Sequence, residues 1–153
     1  MKKHSDVNLR IVGMLKLDPC LVQFKRAGRI EFLHYTDYLH LQKYISEADI
    51  NIAPLVINAF TNSKSELKFF VASIVKVPTI ASPTYTFAHA IKNGKTGLLA
   101  QAGDWYDQLE KLYQDKALRA QIADAAYAYC TKTYSPEAIL PQVEKAYNYY
   151  TES

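Results

Sequence analysis

NSKSELKFFVASIVKVPTIAS, residues Asn62–Ser82, follows a strand-like run, Asp49–Leu55 (DINIAPL), and opens on small polar residues of the kind that start helices. Ser63 suits an N-cap, and Glu66 then falls at the third helical position, giving the S-x-x-E capping box. Leu67, Phe70, Val71 and Ile74 follow at helical spacing and predict one apolar face. Val77-Pro78-Thr79-Ile80-Ala81 reads as the next buried strand. The stretch is therefore one αβ step of an α/β sheet, with its helix beginning where strand Asp49–Leu55 ends. In such sheets ligands sit outside the carboxyl ends of the strands. A helix start there presents unpaired N–H groups and a positive dipole end to an anion. Lys64 and Lys68 add two cations nearby. Cations oppose the dipole at that end, so Lys64 is out of place unless a ligand phosphate answers it.

Outward from this step, strand and helix signals alternate. Leu9–Leu15 (LRIVGML) is apolar on both faces, as a buried parallel strand requires. Asp18-Pro19 forms an N-cap and N1 pair for a short helix over Cys20–Ala27, stopped by Gly28. Arg29–His34 is the second strand, and Asp37 caps a helix carrying Leu41, Tyr44, Ile45 and Ala48. Beyond strand Val77–Ala81, the turn Ser82-Pro83-Thr84 leads to a helix with Phe87, Ala90 and Ile91 inward, ended by Asn93-Gly94. Thr96–Ala100 is the last strand. Three helices finish the chain: one capped by Asp104, with Trp105, Leu109, Leu112 and Tyr113 as its stripe, one with Leu118, Ile122, Ala125, Ala126 and Tyr129, and one from Ser135-Pro136 with Ile139, Val143, Ala146, Tyr147 and Tyr150 along one side. Pro141 lies early enough in the last to shift its start. Strands separated by helices imply a parallel sheet. The expected fold is one α/β domain over residues 1–153, a Rossmann-like parallel sheet of about five strands flanked by helices, with a helical C-terminal tail.

Composition narrows the function classes. A chain of 153 residues with 49% apolar and 22% charged residues suits one globular domain. A net charge of +3 with scattered Lys and Arg permits an anionic ligand and gives no reason to choose nucleic acid. Met1-Lys2-Lys3-His4 runs into Ser5-Asp6 rather than an apolar stretch, so no signal peptide is expected, and His4 is expected in a frayed start. No apolar run approaches the length of a membrane span. Cys20 and Cys130 form no C-x-x-C and are expected as two buried thiols in a reducing compartment, with a disulfide left open. His34, His40 and His89 show no ligand spacing. No G-x-G-x-x-G or G-K-[ST] loop occurs, which argues against dinucleotide or P-loop binding. A receiver-type domain needs clustered acids at the strand ends, and these read Gly13, His34, Pro54 and Ser82.

The run from Asp49 to Leu99 (ADINIAPL, NSKSELKFF, VPTIASP, HAIKNGKTGLLA) resembles the donor-binding C-terminal half of retaining, nucleotide-sugar glycosyltransferases of the GT-B class, group 1 or family 4. The shared order is a strand ending in Pro, a helix, a P-x-x-A-S strand and an I-x-x-G-x-x-G-x-L segment, whose glycines here are Gly94 and Gly97. Trp105, Leu109, Asp115, Leu118 and Arg119 continue the likeness, which covers about Leu9 to Tyr134.

The resemblance implies that Ser63, Lys64, Ser65, Glu66 and Lys68 meet the sugar and diphosphate of a nucleoside-diphosphate sugar, with Gly13 admitting backbone to the phosphates. Tyr35, Thr36 and Leu39 would contact the base, and Ser82, Pro83 and Thr84 would border the sugar. It implies no metal or cofactor, and a reaction that keeps the anomeric configuration with the leaving diphosphate stabilised by cations and amides. The family's two glutamates, the second of which grips the ribose, are replaced at the matching positions by Ser63 and Val71; Lys64-Ser65-Glu66-Leu67-Lys68 is similar to a K-S-x-x-K variant. The resemblance also implies a first βα unit with no counterpart before Leu9, and an acceptor-binding domain outside this chain. The expected setting is cytoplasmic, with peripheral association with the inner membrane left open for a full-length protein. The alternative is a degenerate, non-catalytic GT-B-like module for binding or assembly.

The plainer readings stand beside these. Glu66 as a capping residue, Lys64 and Lys68 as solvated charges four apart, Gly13 as a packing glycine, and Tyr35 as one of 12 tyrosines are each sufficient without a ligand. In relatives the last helix crosses to the other half, which implies an exposed apolar patch on the Tyr147, Tyr149, Tyr150 tail.

Overall fold

The computed structural model describes residues 1–151, and the side chains of residues 1–149. Packing divides it into two compact units, Met1–Leu41 and the chain from Gln42 onward.

In the first unit β1 (Leu9–Val12) runs parallel to β2 (Ile30–Leu33), with Leu9 opposite Ile30 and Val12 opposite Leu33. Asp18 caps the connecting segment as expected, its carboxylate accepting the Cys20 N–H at 2.9 Å. A 3₁₀ turn at Pro19–Leu21 leads into α1 (Val22–Arg26). The chain start is not frayed: the Arg29 guanidinium donates to the carbonyls of Met1, His4 and Val7 and ties it down. α2 (Tyr38–Ser46), within which the first unit ends, is capped by Asp37, which accepts the His40 N–H at 3.0 Å.

The second unit is built on a three-stranded parallel sheet in the order β3 (Asn51–Ala53), β4 (Thr79–Ala81), β5 (Leu98–Leu99). The five expected strands are thus all present and parallel, hydrogen-bonded as a pair and a trio. Adjacent strand residues point to opposite faces, and Ile80 and Ala81 accordingly join different core clusters. Ala81 packs with Ala53, Phe69, Phe87, Ala126 and Cys130. Ile80 packs with Leu98, Ala100, Leu112 and Ile122. At Gly97 a Cβ would lie 3.0 Å from both the Thr79 carbonyl and the Ile91 side chain, so any larger residue would crowd this close approach to β4.

The remaining helices are α3 (Ala59–Asn62), α4 (Leu67–Ser73), α5 (Tyr85–Ala90), α6 (Trp105–Gln114), α7 (Lys116–Thr133) and α8 (Pro136–Thr151). Asp115 caps α7 by accepting the Leu118 N–H at 2.8 Å. Arg119 donates to the Leu112 and Tyr113 carbonyls, answering the exposed acceptors at the end of α6. Three residues beyond α4, Lys76 takes the left-handed region at φ 57°, and its ammonium pairs with Asp124 at 2.8 Å.

Several expectations are corrected. Ser63 is not an N-cap: it closes α3, and its hydroxyl donates to the Ala59 carbonyl at 2.9 Å. The capping box belongs instead to Asn58 and Thr61 at the start of α3. Glu66 precedes α4 directly and makes no side-chain cap bond, so no S-x-x-E box forms. The buried face also differs from the expected one: Phe69, Val71, Ala72 and Ser73 are inside, whereas Leu67 is exposed and Phe70 and Ile74 are only partly covered. Asp104 makes no cap bond for α6. Cys20 is exposed, Cys130 is buried, and both are free thiols. Pro141 sits inside α8, which begins at Pro136 with the Ser135 hydroxyl accepting the Ala138 N–H at 3.2 Å. Ile139, Leu140, Val143, Tyr147 and Tyr149 are exposed on this helix, as the sequence implies; the side chain of Tyr150 lies outside the described ones.

Candidate functional site

Ser63, Lys64 and Ser65 form the exposed link between α3 and α4, on the carboxyl side of β3. The link is fastened to the start of α5. The Tyr85 N–H donates to Asn62 Oδ1 at 3.0 Å, and Thr86 Oγ1 donates to the Lys64 carbonyl at 2.6 Å. The Lys64 ammonium lies 4.2 Å from the centre of the Phe60 ring, itself 70% exposed. Lys68 is exposed on the first turn of α4, and its carbonyl accepts from the Asn51 amide at 3.2 Å.

Glu66 has a different partner from the one a capping box would supply. Its carboxylate accepts the Tyr134 hydroxyl at 2.6 Å, and the Tyr134 ring meets Phe70 edge-on at 5.2 Å between centroids. Burial, and then the adjacent carboxylate, hold the Tyr134 phenol well above the ordinary tyrosine range. Ser65, Glu66, Leu67, Phe70, Tyr134 and Ile139 line a mostly apolar cleft of about 260 Å³.

Ser82 is buried and structural in its bonding: its Oγ accepts the Leu55 N–H at 2.9 Å, fixing the chain as it leaves β3. Pro83 is half-buried. Thr84 is fully buried at the start of α5, and its hydroxyl has no hydrogen-bond partner. Val71 is 7% exposed, so its side chain belongs to the interior.

In the first unit Gly13 ends β1 at φ +99°, a backbone that side chains other than glycine's resist. Its N–H donates to the Leu33 carbonyl at 2.9 Å, and a Cβ added there would stand 3.0 Å from the Tyr35 ring. Gly13, Met14, Phe32, Leu33, His34 and Tyr35 line a cleft of about 360 Å³. Tyr35, Thr36 and Leu39 are all exposed. The structure thus brings Gly13 to Tyr35 in one unit and Lys64 to Phe60, Asn62 and Thr86 in the other. Phe60, Asn62, Thr86 and Tyr134 were not legible as site residues. Their contacts are rings and side-chain bonds to distant partners that leave no spacing pattern.

This is the α/β architecture of one half of a GT-B glycosyltransferase. The C-terminal domain of a glycosyl transferase group 1 family protein, LpcC from Francisella tularensis, superposes with a TM-score of 0.70 at 22% identity, covering 88% of this chain and 73% of that one. HepE from Anabaena, solved in complex with UDP, gives 0.73 at 17% identity over 95% of this chain and 42% of its own. Sucrose-phosphate synthase from Thermosynechococcus elongatus gives 0.77 at 20% identity over 95% of this chain and 39% of its own. The chain therefore spans less than half the length of the latter two. A comparison with curated proteins finds no match. The family described as glycosyl transferases group 1 matches residues 1–115, and the chain belongs to that family. Among the described residues, no helix is long and apolar enough to cross a membrane.

Proposed function

We propose that this chain is the nucleotide-sugar-binding half of a retaining glycosyltransferase, working with an acceptor-binding domain. The observation that carries the reading is the family match over residues 1–115, which spans both the Gly13–Tyr35 cleft and the Lys64 link. HepE, which shares the fold, has been solved with UDP and with UDP-glucose. In this reading Lys64, Lys68 and the exposed Ser63 and Ser65 take the sugar and diphosphate, Gly13 admits backbone to the phosphates, and Tyr35, Thr36 and Leu39 take the base. Of the Ser82-Pro83-Thr84 loop only the half-buried Pro83 is left to border the sugar, because Ser82 and Thr84 are buried. The leaving diphosphate is stabilised by cations and fixed dipoles, with no metal required.

A second reading is favoured by one specific position. Val71 is buried and has no acceptor for a ribose hydroxyl, and a lost charged hydrogen bond weakens binding by about 1.5–3 kcal/mol. On that reading the chain is a non-catalytic module that keeps the fold for binding or assembly.

Titration of the chain with UDP, GDP and ADP, followed by amide chemical shifts, separates the two. The donor reading expects binding of one nucleotide at roughly millimolar strength, about −4 kcal/mol, with shifts at Gly13, Tyr35 and Lys64. Silence for all three favours the second. Lys64→Ala is expected to weaken binding more than Lys68→Ala, and equal losses would mean the two charges act only diffusely.

A further inference from the structure

Lys64 is an exposed residue whose backbone is fixed from outside its own element, and this sets it apart from an ordinary surface lysine. Its carbonyl is held by Thr86 Oγ1 at 2.6 Å, 22 residues further along the chain. Two residues earlier, Asn62 Oδ1 takes the Tyr85 N–H at 3.0 Å, which would otherwise be an unpaired donor at the start of α5. The same asparagine donates its own backbone N–H to the Asn58 carbonyl at 2.9 Å, so it joins α3 to α5. At the other end of the lysine, the ammonium rests 4.2 Å from the Phe60 ring centre. An exposed cation–π contact is weak enough to yield to a phosphate dianion, yet it lowers the number of rotamers the free lysine samples.

We propose that Thr86, Asn62 and Phe60 are positioning residues for Lys64: the first two latch the Ser63–Ser65 link onto α5, and the ring holds the ammonium until a ligand diphosphate takes it over. The inference rests on the donor reading and goes beyond it by assigning how the cation is presented. None of the three needs to touch the ligand. Their effect is preorganisation, which acts on affinity by removing the ordering cost of a loop and a long side chain.

The test uses the whole chain and UDP as the probe. In the ligand-free protein, hydrogen exchange and amide relaxation at Lys64 and Ser65 report the latch directly. Thr86→Val should speed exchange at both amides and weaken UDP binding about threefold to tenfold, the worth of one hydrogen bond. Thr86→Ser keeps the hydroxyl and should restore both values. Asn62→Ala should act like Thr86→Val, and it carries the same test should the valine variant fail to fold. Phe60→Leu should leave the Lys64 amide unchanged but weaken UDP binding by about twofold to fivefold. If the unaltered chain ignores UDP, the donor reading fails and takes the inference with it. If UDP binds and Lys64→Ala abolishes the binding while Thr86→Val and Asn62→Ala bind normally, the latch alone is overturned.

Discussion

Removing one hydroxyl, in Tyr134→Phe, tests whether the chain after α7 is fastened to the start of α4. The bond is short, 2.6 Å, and its acceptor is the Glu66 carboxylate, which puts it among charge-assisted hydrogen bonds. Such bonds contribute about 1.5–3 kcal/mol, and the partial exposure of both partners argues for the lower end, about 1.5 kcal/mol. Phenylalanine keeps the edge contact with Phe70, at 71° between ring planes, so little packing is lost with the hydroxyl. For a chain of this length the expected fall in melting temperature is about 3–6 °C. Urea unfolding of the wild type, Tyr134→Phe, Glu66→Ala and the double variant measures the coupling, expected above about 1 kcal/mol. The pH dependence has a definite sign. The folded-state phenol is held above its usual pKa, so the contribution is fully present below about pH 10. It declines as the pH rises beyond that, because the unfolded chain releases its proton first, with a slope of at most about 1.4 kcal/mol per pH unit, reduced by solvent screening. Tyr134→Phe should flatten this alkaline decline relative to wild type. A single-variant loss below about 0.5 kcal/mol, or strict additivity in the cycle, would show that the bond contributes nothing and that α8 is not anchored through it.

Three further outcomes follow from the core and the caps. Phe69→Ala empties a fully buried site packed on Ala81 and α7, and calorimetry should show a loss of about 3–5 kcal/mol, against under 1 kcal/mol for Leu67→Ala on the exposed side of the same helix. Asn58→Ala removes the acceptor of the Thr61 N–H at 2.9 Å and should cost about 1 kcal/mol in urea unfolding, with Asn58→Asp near neutral. Gly13→Ala should destabilise by about 1–2 kcal/mol, and adding Tyr35→Ala should recover only part of it, because removing the ring relieves the contact and not the positive φ; full recovery in thermal melts would mean the backbone there is unstrained.

The strands were legible because each is a short, mostly apolar run bounded by turn residues, and all five fall inside the expected segments. The segment between β3 and α4 was not. α3 is only one turn long, and its apolar residue Phe60 is exposed, so it has no periodicity to read. α3 therefore occupies the place of the expected helix start at Ser63, and the next helix buries Phe69 where the apolar spacing pointed to Phe70. The end of α4 was hidden for a different reason. Lys76, at φ 57°, takes the left-handed position that glycine usually marks, with Val77 N–H returning to the Ala72 carbonyl at 3.0 Å. Tyr134 and Glu66 stand 68 residues apart, and no local pattern links them.

The lysines of this unit show what separates a structural cation from an unspent one. Lys76 is committed twice over, to the Asp124 carboxylate at 2.8 Å and to the Tyr127 ring at 5.2 Å. Among the described residues neither Lys64 nor Lys68 is paired with a carboxylate. The nearest acid in sequence, Glu66, is occupied by the Tyr134 hydroxyl, which keeps it in a bond of its own. A lysine kept only for solubility gains nothing from a fixed backbone, since solvation is indifferent to where the ammonium points. Lys64 has both a fixed backbone and an unpaired charge. On the donor reading, the buried Val71 offers no acceptor to a ribose, so a bound donor would depend more on its diphosphate, and UDP affinity in the amide-shift titration should fall steeply with added salt.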